Sequence, residues 1–231
     1  MMPIIRIGSV DISTYWLMMF VGCMSMAWLM LKRKKRFGIS IVQALGFALC
    51  LMICGLLGTK ILYVLEHLDE VKENGMSLGG LSFYGAVFLV PILMPLLTKV
   101  LPMNRSQIND ASSLCGLSML GSIRFGCFLN GCCGGIQAEL MGLSFRWPTQ
   151  AIESIGDFLI LSVLYSAETQ DRGKGKMYPL FMLSYSILRF LVEIFRDTPK
   201  DLLFLSRGQW YALVSIFVAV IWVRKVSNPN E

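Results

Sequence analysis

The sequence predicts an all-α fold: a polytopic membrane protein of about seven transmembrane helices, amino terminus outside and carboxyl terminus cytoplasmic. Three observations lead there. Of the 231 residues, 55% are hydrophobic and only 16% charged, with mean hydropathy +0.62, too little charge to cover a soluble domain of this size. Apolar runs of about 20 residues, long enough to cross roughly 30 Å of hydrocarbon, recur along the whole chain. Lysine and arginine gather in short loops at alternate ends of those runs, as the positive-inside bias requires. This last pattern accounts for the net charge of +6, so nucleic acid is not an expected partner.

Each span follows from its own punctuation. The first, 13–31, stops at "KRKKR", residues 32–36, the strongest cytoplasmic marker in the chain. It lacks a small-residue cleavage site and reads as a retained helix. The second, 39–65, returns outward and ends in the acidic loop "EHLDEVKEN". The third, 81–101, closes at Arg105, and the fourth, 108–129, delivers "RFGCFLNGCCGG" at its outer end. A polar loop with "SFRWPTQ" follows. The fifth, 152–167, descends to "DRGKGK"; the sixth, 177–194, rises to "FRDTPKD"; the seventh, 210–223, ends inside at Arg224 and Lys225. With neither an internal repeat nor a composition break, residues 1–231 read as one integral-membrane domain.

Four cations fall in or at the edge of these apolar runs: Lys60, Arg124, Arg189 and Arg196. A charge at the bilayer centre costs about 2.5–3.5 kcal/mol on insertion scales, so each needs a partner, a cavity or a route to the interface. Lys60 and Arg196 sit where snorkelling and function are both open readings. Arg189 lies nearly mid-helix, and Tyr185, Arg189, Glu193 and Arg196 share one helical face. That stripe faces either a polar cavity or a structural Arg–Glu pair. Arg124 could close the same cavity, with the glycine-rich turn "NGCCGG" bringing backbone N–H groups to an anion. "GGLSFYG", residues 79–85, offers a second glycine-rich entry at the same face. Paired guanidinium forks suit phosphate oxygens, and a phospholipid headgroup is the economical ligand.

Cys23, Cys50, Cys54 and Cys115 lie within apolar runs and serve as small hydrophobes. Cys127, Cys132 and Cys133 leave three readings open: buried filler or a disulfide, a functional thiol beside the Arg124 cation, or metal ligation. A closed zinc site wants four ligands, and no second cluster supplies a fourth.

These residues, in this order, resemble the bacterial prolipoprotein diacylglyceryl transferase family over nearly the whole chain. "IGSVDISTYWLMM" is similar to the family's opening, with Tyr15 in place, and "GGLSFYG" to its third-helix motif, carrying Gly80, Ser82 and Tyr84. "GSIRFGCFLNGCCGG" resembles the family signature, with Arg124, Gly126, Asn130, Gly131 and Gly135 at signature positions. "WPTQAIES" carries Gln150 and Glu153; "YSILRFLVEIFR" carries Tyr185, Arg189, Glu193 and Arg196; "LSRGQ" precedes the last helix.

The resemblance implies an enzyme of the bacterial cytoplasmic (inner) membrane that takes phosphatidylglycerol and moves its diacylglyceryl group to the thiol of a lipobox cysteine in a prolipoprotein. No metal or redox cofactor is implied. Arg124, Arg189, Tyr84 and Glu153 would be the catalytic set. Tyr15, Gly80, Ser82, Gly126, Cys127, Asn130, Gly135, Gln150, Tyr185, Glu193 and Arg196 would line the lipid site. Three positions depart from the family pattern: Tyr84 replaces a histidine, Cys127 an asparagine and Cys132 a glutamate. Tyrosine, with an unperturbed pKa near 10, is a poor base at neutral pH, so Glu153 or an activated tyrosinate would take that part. The sole histidine, His67, reads as an interfacial residue. The departures touch the acceptor half of the reaction, which admits a glycan or small hydroxyl acceptor, phosphoglycerol transfer, or a non-catalytic lipid-binding paralogue.

Overall fold

In the computed structural model the structure describes residues 3–7, 10–74, 81–140, 142–170, 175–200 and 203–228. Eight helices carry the described fold: α1 (Thr14–Phe37), α2 (Ile41–Glu66), the short α3 (Leu68–Asn74), α4 (Phe83–Leu93), α5 (Arg105–Asn130), α6 (Thr149–Thr169), α7 (Met177–Ile194) and α8 (Arg207–Ser227). Five of them, α1, α2, α5, α7 and α8, are long and apolar enough to cross a membrane. Large apolar side chains such as Trp16, Phe20, Val42, Leu159, Val163 and Phe217 point outward from the bundle.

Helix ends follow local chemistry. Ser40, Asn104 and Ser206 each form a reciprocal capping box with the glutamine three residues on, starting α2, α5 and α8. Gly38 and Gly131 end α1 and α5 in the left-handed conformation that a residue without Cβ adopts freely.

The expected spans need four adjustments. α1 runs past the predicted stop at residue 31 to Phe37, because Lys34, Lys35 and Arg36 in its last turn complement the helix dipole. The third span is not one helix: Pro91 ends the regular part of α4, and a 3-10 turn with Pro95 in its first turn continues over Met94–Lys99. The acidic loop after α2 contains α3. The fold is not purely helical either. β1 (Ile4–Ile7) pairs antiparallel with β2 (Val10–Ser13), and β3 (Gln137–Leu140) with β4 (Leu143–Arg146), so the loop bearing "SFR" is half of a hairpin.

α5 is the central helix, buried almost continuously from Ile108 to Ser118. Its neighbours approach over small residues, as helices do where apolar burial alone gives no drive. A Cβ at Gly22 of α1 would sit 3.2 Å from the Met119 carbonyl of α5. Gly58 of α2 and Gly85 of α4 lie backbone to backbone. At the end of the bundle that holds the carboxyl end of α1, Arg33 is buried in an ion pair with Glu168 of α6, and Asp110 of α5 accepts the Gly175 and Met177 amides. "KRKKR" is therefore not all loop: Arg33 is a core residue. The opposite end collects the start of α1, the ends of α5 and α7, and the starts of α6 and α8.

Candidate active site

At that second end, three helices aim charged side chains at one point. α5 supplies Arg124 in its penultimate turn, α6 supplies Glu153 in its second turn, and α7 supplies Tyr185, Arg189 and Glu193 one turn apart. Glu153 is 1% exposed and takes both guanidiniums: Arg124 Nε lies 3.0 Å from its Oε1, and Arg189 Nη1 lies 2.8 Å from its Oε2. The Tyr185 hydroxyl donates to Glu153 Oε1 at 3.4 Å. Arg189 also spans to Glu193 at 2.8 Å, and Arg196 stands 3.9 Å from the same carboxylate.

Of the two readings of the α7 stripe, the Arg–Glu pair is what the structure shows, and Glu153 occupies the place between the two arginines. The guanidiniums converge, but on a carboxylate. Three guanidiniums, those of Arg124, Arg189 and Arg196, stand against the Glu153 and Glu193 carboxylates.

A second layer fixes this set. The hydroxyls of Thr198 and Ser206 donate to Glu193 Oε1 at 3.0 and 3.1 Å, and Gly208 leaves room for that carboxylate, since a Cβ there would lie 3.2 Å from it. Gln150 donates its side-chain amide to the Cys132 carbonyl, holding the glycine turn against α6. Gly135 donates its N–H to the Trp147 carbonyl at 2.9 Å and bridges Arg196, packed so closely that a Cβ would strike the Phe195 carbonyl and Trp147. Arg146 pins the hairpin to this corner, donating to the Gly135 carbonyl at 2.7 Å and pairing with Asp197 at 2.9 Å.

The other expected residues fall at graded distances. Tyr84 is buried beneath the cluster, its ring 5.9 Å from those of Tyr185 and Tyr211 and its hydroxyl without a hydrogen-bond partner among the described residues. Tyr15 flanks the outer side near Arg124 and Cys127, and Gly126 lets α1 close in, since a Cβ would lie 2.9 Å from the Met18 Cβ. Asn130 is the last residue of α5, half-buried beside Gly131. Ser82 sits apart: its hydroxyl donates to Glu66 at the start of α4. Gly80 lies outside the described residues. His67 caps α2, its ring stacked on Tyr63 at 4.4 Å. Lys60 lies over the Tyr63 ring.

One residue escaped the sequence reading. Asp157, four residues after Glu153 on the same face of α6, is completely buried, and neither carboxyl oxygen has a hydrogen-bond partner among the described residues. Its signal was available: an acidic residue at i+4 from a conspicuous glutamate in an apolar run. Among the described residues no cluster of histidine, cysteine and carboxylate side chains is placed to hold a metal ion.

An apolar helical bundle with five membrane-capable helices and a cluster of buried cations and acids at one end defines a polytopic membrane protein. Residues 3–224 match the family model for prolipoprotein diacylglyceryl transferase, and the chain belongs to that family. It is 27% identical over 223 residues to the phosphatidylglycerol–prolipoprotein diacylglyceryl transferase of Clostridium tetani, covering 89% of this chain and 90% of that one. A second relative of that name, from Clostridium perfringens, is 28% identical over 234 residues, covering 93% and 90%. The transferase of Idiomarina loihiensis reaches 31% over 186 residues, covering 72% and 70%.

Proposed function

We propose that this chain is a single-domain, seven-span enzyme of the bacterial cytoplasmic membrane that transfers the diacylglyceryl group of phosphatidylglycerol to the thiol of a prolipoprotein lipobox cysteine. α4 with its 3-10 extension and α6 supply the two spans beyond the five long apolar helices. α6 carries its polar residues Glu153, Asp157 and Glu168 inward, which suits a helix shielded by its neighbours. With the amino terminus outside, the Arg124–Glu153–Arg189 cluster faces the outer leaflet, where the secreted acceptor arrives.

The observation that carries the reading is the shared carboxylate: two buried guanidiniums from different helices are pre-aimed at one point. In the reaction the headgroup phosphate takes the guanidiniums from Glu153. The acceptor sulfur attacks the glyceryl carbon bearing the phosphate, the carbon–oxygen bond breaks, and its electron pair leaves on the phosphate of glycerol phosphate. Arg124 and Arg189 stabilise that growing charge, an effect worth roughly 10²–10³ in rate per donor removed in comparable sites. Glu153, released from its ion pairs, takes the thiol proton, the role Tyr84 is poorly suited to fill. Glu193 orients Arg189, while Tyr185, Gly135 and Gln150 shape the pocket around the headgroup.

Headgroup-labelled phosphatidylglycerol and a lipobox peptide test this. Release of the label as glycerol phosphate, with the peptide gaining the lipid, is the expected result. Label on the acceptor would instead mean phosphoglycerol transfer, and binding without turnover a lipid-binding paralogue.

A further inference from the structure

At the end of the bundle that holds the carboxyl end of α1, the prolines that break α4 leave a cleft the proposed chemistry does not use. Pro91 and Pro95 lack the N–H that would continue an α-helix, so the chain tightens into the 3-10 turn over Met94–Lys99. Thr98 braces that turn by donating its hydroxyl to the Pro95 carbonyl at 2.9 Å. Between the turn, the start of α5 and the end of α8 lies a cleft of about 490 Å³. Gly175 closes one wall: its N–H donates to Asp110 at 2.6 Å, and a Cβ there would lie 2.7 Å from the Ser106 hydroxyl.

The lining brings together three kinds of side chain. Lys99 and Arg105 are exposed cations, and the ion pairs among the described residues all belong to other side chains. Ile92 and Leu96 are apolar and 67% and 58% exposed, on the outer surface of a bundle that lipid surrounds. Asn109 is 8% exposed, and its side-chain carbonyl oxygen has no hydrogen-bond partner among the described residues. Buried acceptors are nearly always paired, so this one is a place for a donor. Trp222 of α8 adds the aromatic edge that favours the lipid–water boundary.

We propose that this cleft is a second lipid site, separate from the Arg124–Glu153–Arg189 cluster, that holds an anionic phospholipid with a hydroxyl-bearing headgroup. Lys99 and Arg105 take the phosphate, Asn109 accepts a hydrogen bond from the headgroup hydroxyl, and the acyl chains run over Ile92 and Leu96. A free phosphate would satisfy the cations alone; the exposed apolar pair beside them selects a lipid. In the proposed orientation this is the cytoplasmic leaflet, opposite the reaction, so the lipid held here is not the one consumed.

The test uses the full chain in phosphatidylcholine nanodiscs, with tracer phosphatidylglycerol or phosphatidylcholine carrying the same photoactivatable acyl chain. Each cation near an anionic surface favours the charged lipid roughly fivefold, so the phosphatidylglycerol tracer is expected to label residues 91–99 on the order of 20-fold more than the other. Lys99→Gln combined with Arg105→Gln removes that excess. Equal labelling by the two tracers, or an excess that survives the double variant, overturns the site. Soluble glycerol phosphate at millimolar concentration is expected to leave the excess in place; its loss assigns the cleft to a free anion and overturns the lipid. Asn109→Leu, which removes an unpaired buried acceptor, lowers labelling several-fold while the unfolding midpoint holds or rises; unchanged labelling overturns the hydroxyl contact. Arg189→Lys, altered only at the far cluster, keeps the labelling of residues 91–99. A parallel loss there makes the cleft part of the substrate's path and overturns its separateness, whereas retained labelling by an inactive enzyme leaves this site standing apart from the transferase reading.

Discussion

Replacing Glu153 by glutamine isolates the electrostatics of the site. The carboxylate is 1% exposed and sits 3.0 Å from Arg124 and 2.8 Å from Arg189. Glu153→Gln keeps the shape, yet leaves two buried guanidiniums facing each other with Glu193 as the remaining carboxylate in contact with Arg189. Removing one partner of a buried ion pair costs about 3–5 kcal/mol, mostly because the other charge is left uncompensated. For a chain of this length that lowers the unfolding midpoint by on the order of 10 °C. The same surplus charge makes the variant a better anion receptor, so phosphatidylglycerol restores more midpoint to Glu153→Gln than to wild type. Thermal unfolding by intrinsic fluorescence, in micelles with and without phosphatidylglycerol, reads both effects, and the variant has also lost the proposed proton acceptor and turns over at least 100-fold more slowly. A variant as stable as wild type in lipid-free micelles, or one that the anionic lipid stabilises no further, would mean that Glu153 does not hold the two guanidiniums in place of a phosphate.

Arg189→Lys keeps the charge but loses the planar fork that meets Glu153 and Glu193 together, and is expected to lower kcat by about 10²-fold while purified protein remains folded; steady-state turnover of labelled lipid checks it. Gly135→Ala forces a methyl into the Phe195 carbonyl and Trp147, and should destabilise by about 1–3 kcal/mol and pull the Arg196 bridge out of register, seen as a lower melting point with raised KM for lipid. Alkylation of Cys133 by iodoacetamide should stay fast at pH 7 and slow only as pH falls through its lowered pKa, because the thiolate is the reactive form; Cys133 reacting no faster than Cys132 at pH 7 contradicts this. Asp157→Leu, which fills a completely buried site carrying an unpartnered carboxyl, is expected to stabilise the fold while slowing turnover; a melting curve with an activity assay separates the two effects.

How much of this was written in the chain differs by element. α7 begins and ends where its apolar run does, at Met177 and Ile194, because nothing but hydropathy and neighbouring polar residues decides its bounds. α4 stops early for a local reason, the prolines at 91 and 95, that a count of apolar residues does not weigh. The hairpins lie in loops, where four-residue strands give too short an alternation to stand out. Within the site, the convergence of Arg124 and Arg189 was legible from spacing. Its centre was not: whether a charged stripe meets a cavity or a carboxylate depends on how α6 packs against α5 and α7. Arg33 makes the same point from the other end, a residue in a basic run that tertiary packing turns into a buried partner of Glu168.

The proposed reaction requires phosphate to displace Glu153 between two guanidiniums. A structure of the protein with phosphatidylglycerol bound, in nanodiscs, tests that most directly. The prediction is a headgroup phosphate within hydrogen-bond distance of both Arg124 and Arg189, with the Glu153 carboxylate turned away from at least one of them. A phosphate bound elsewhere, with both ion pairs to Glu153 intact, would contradict it.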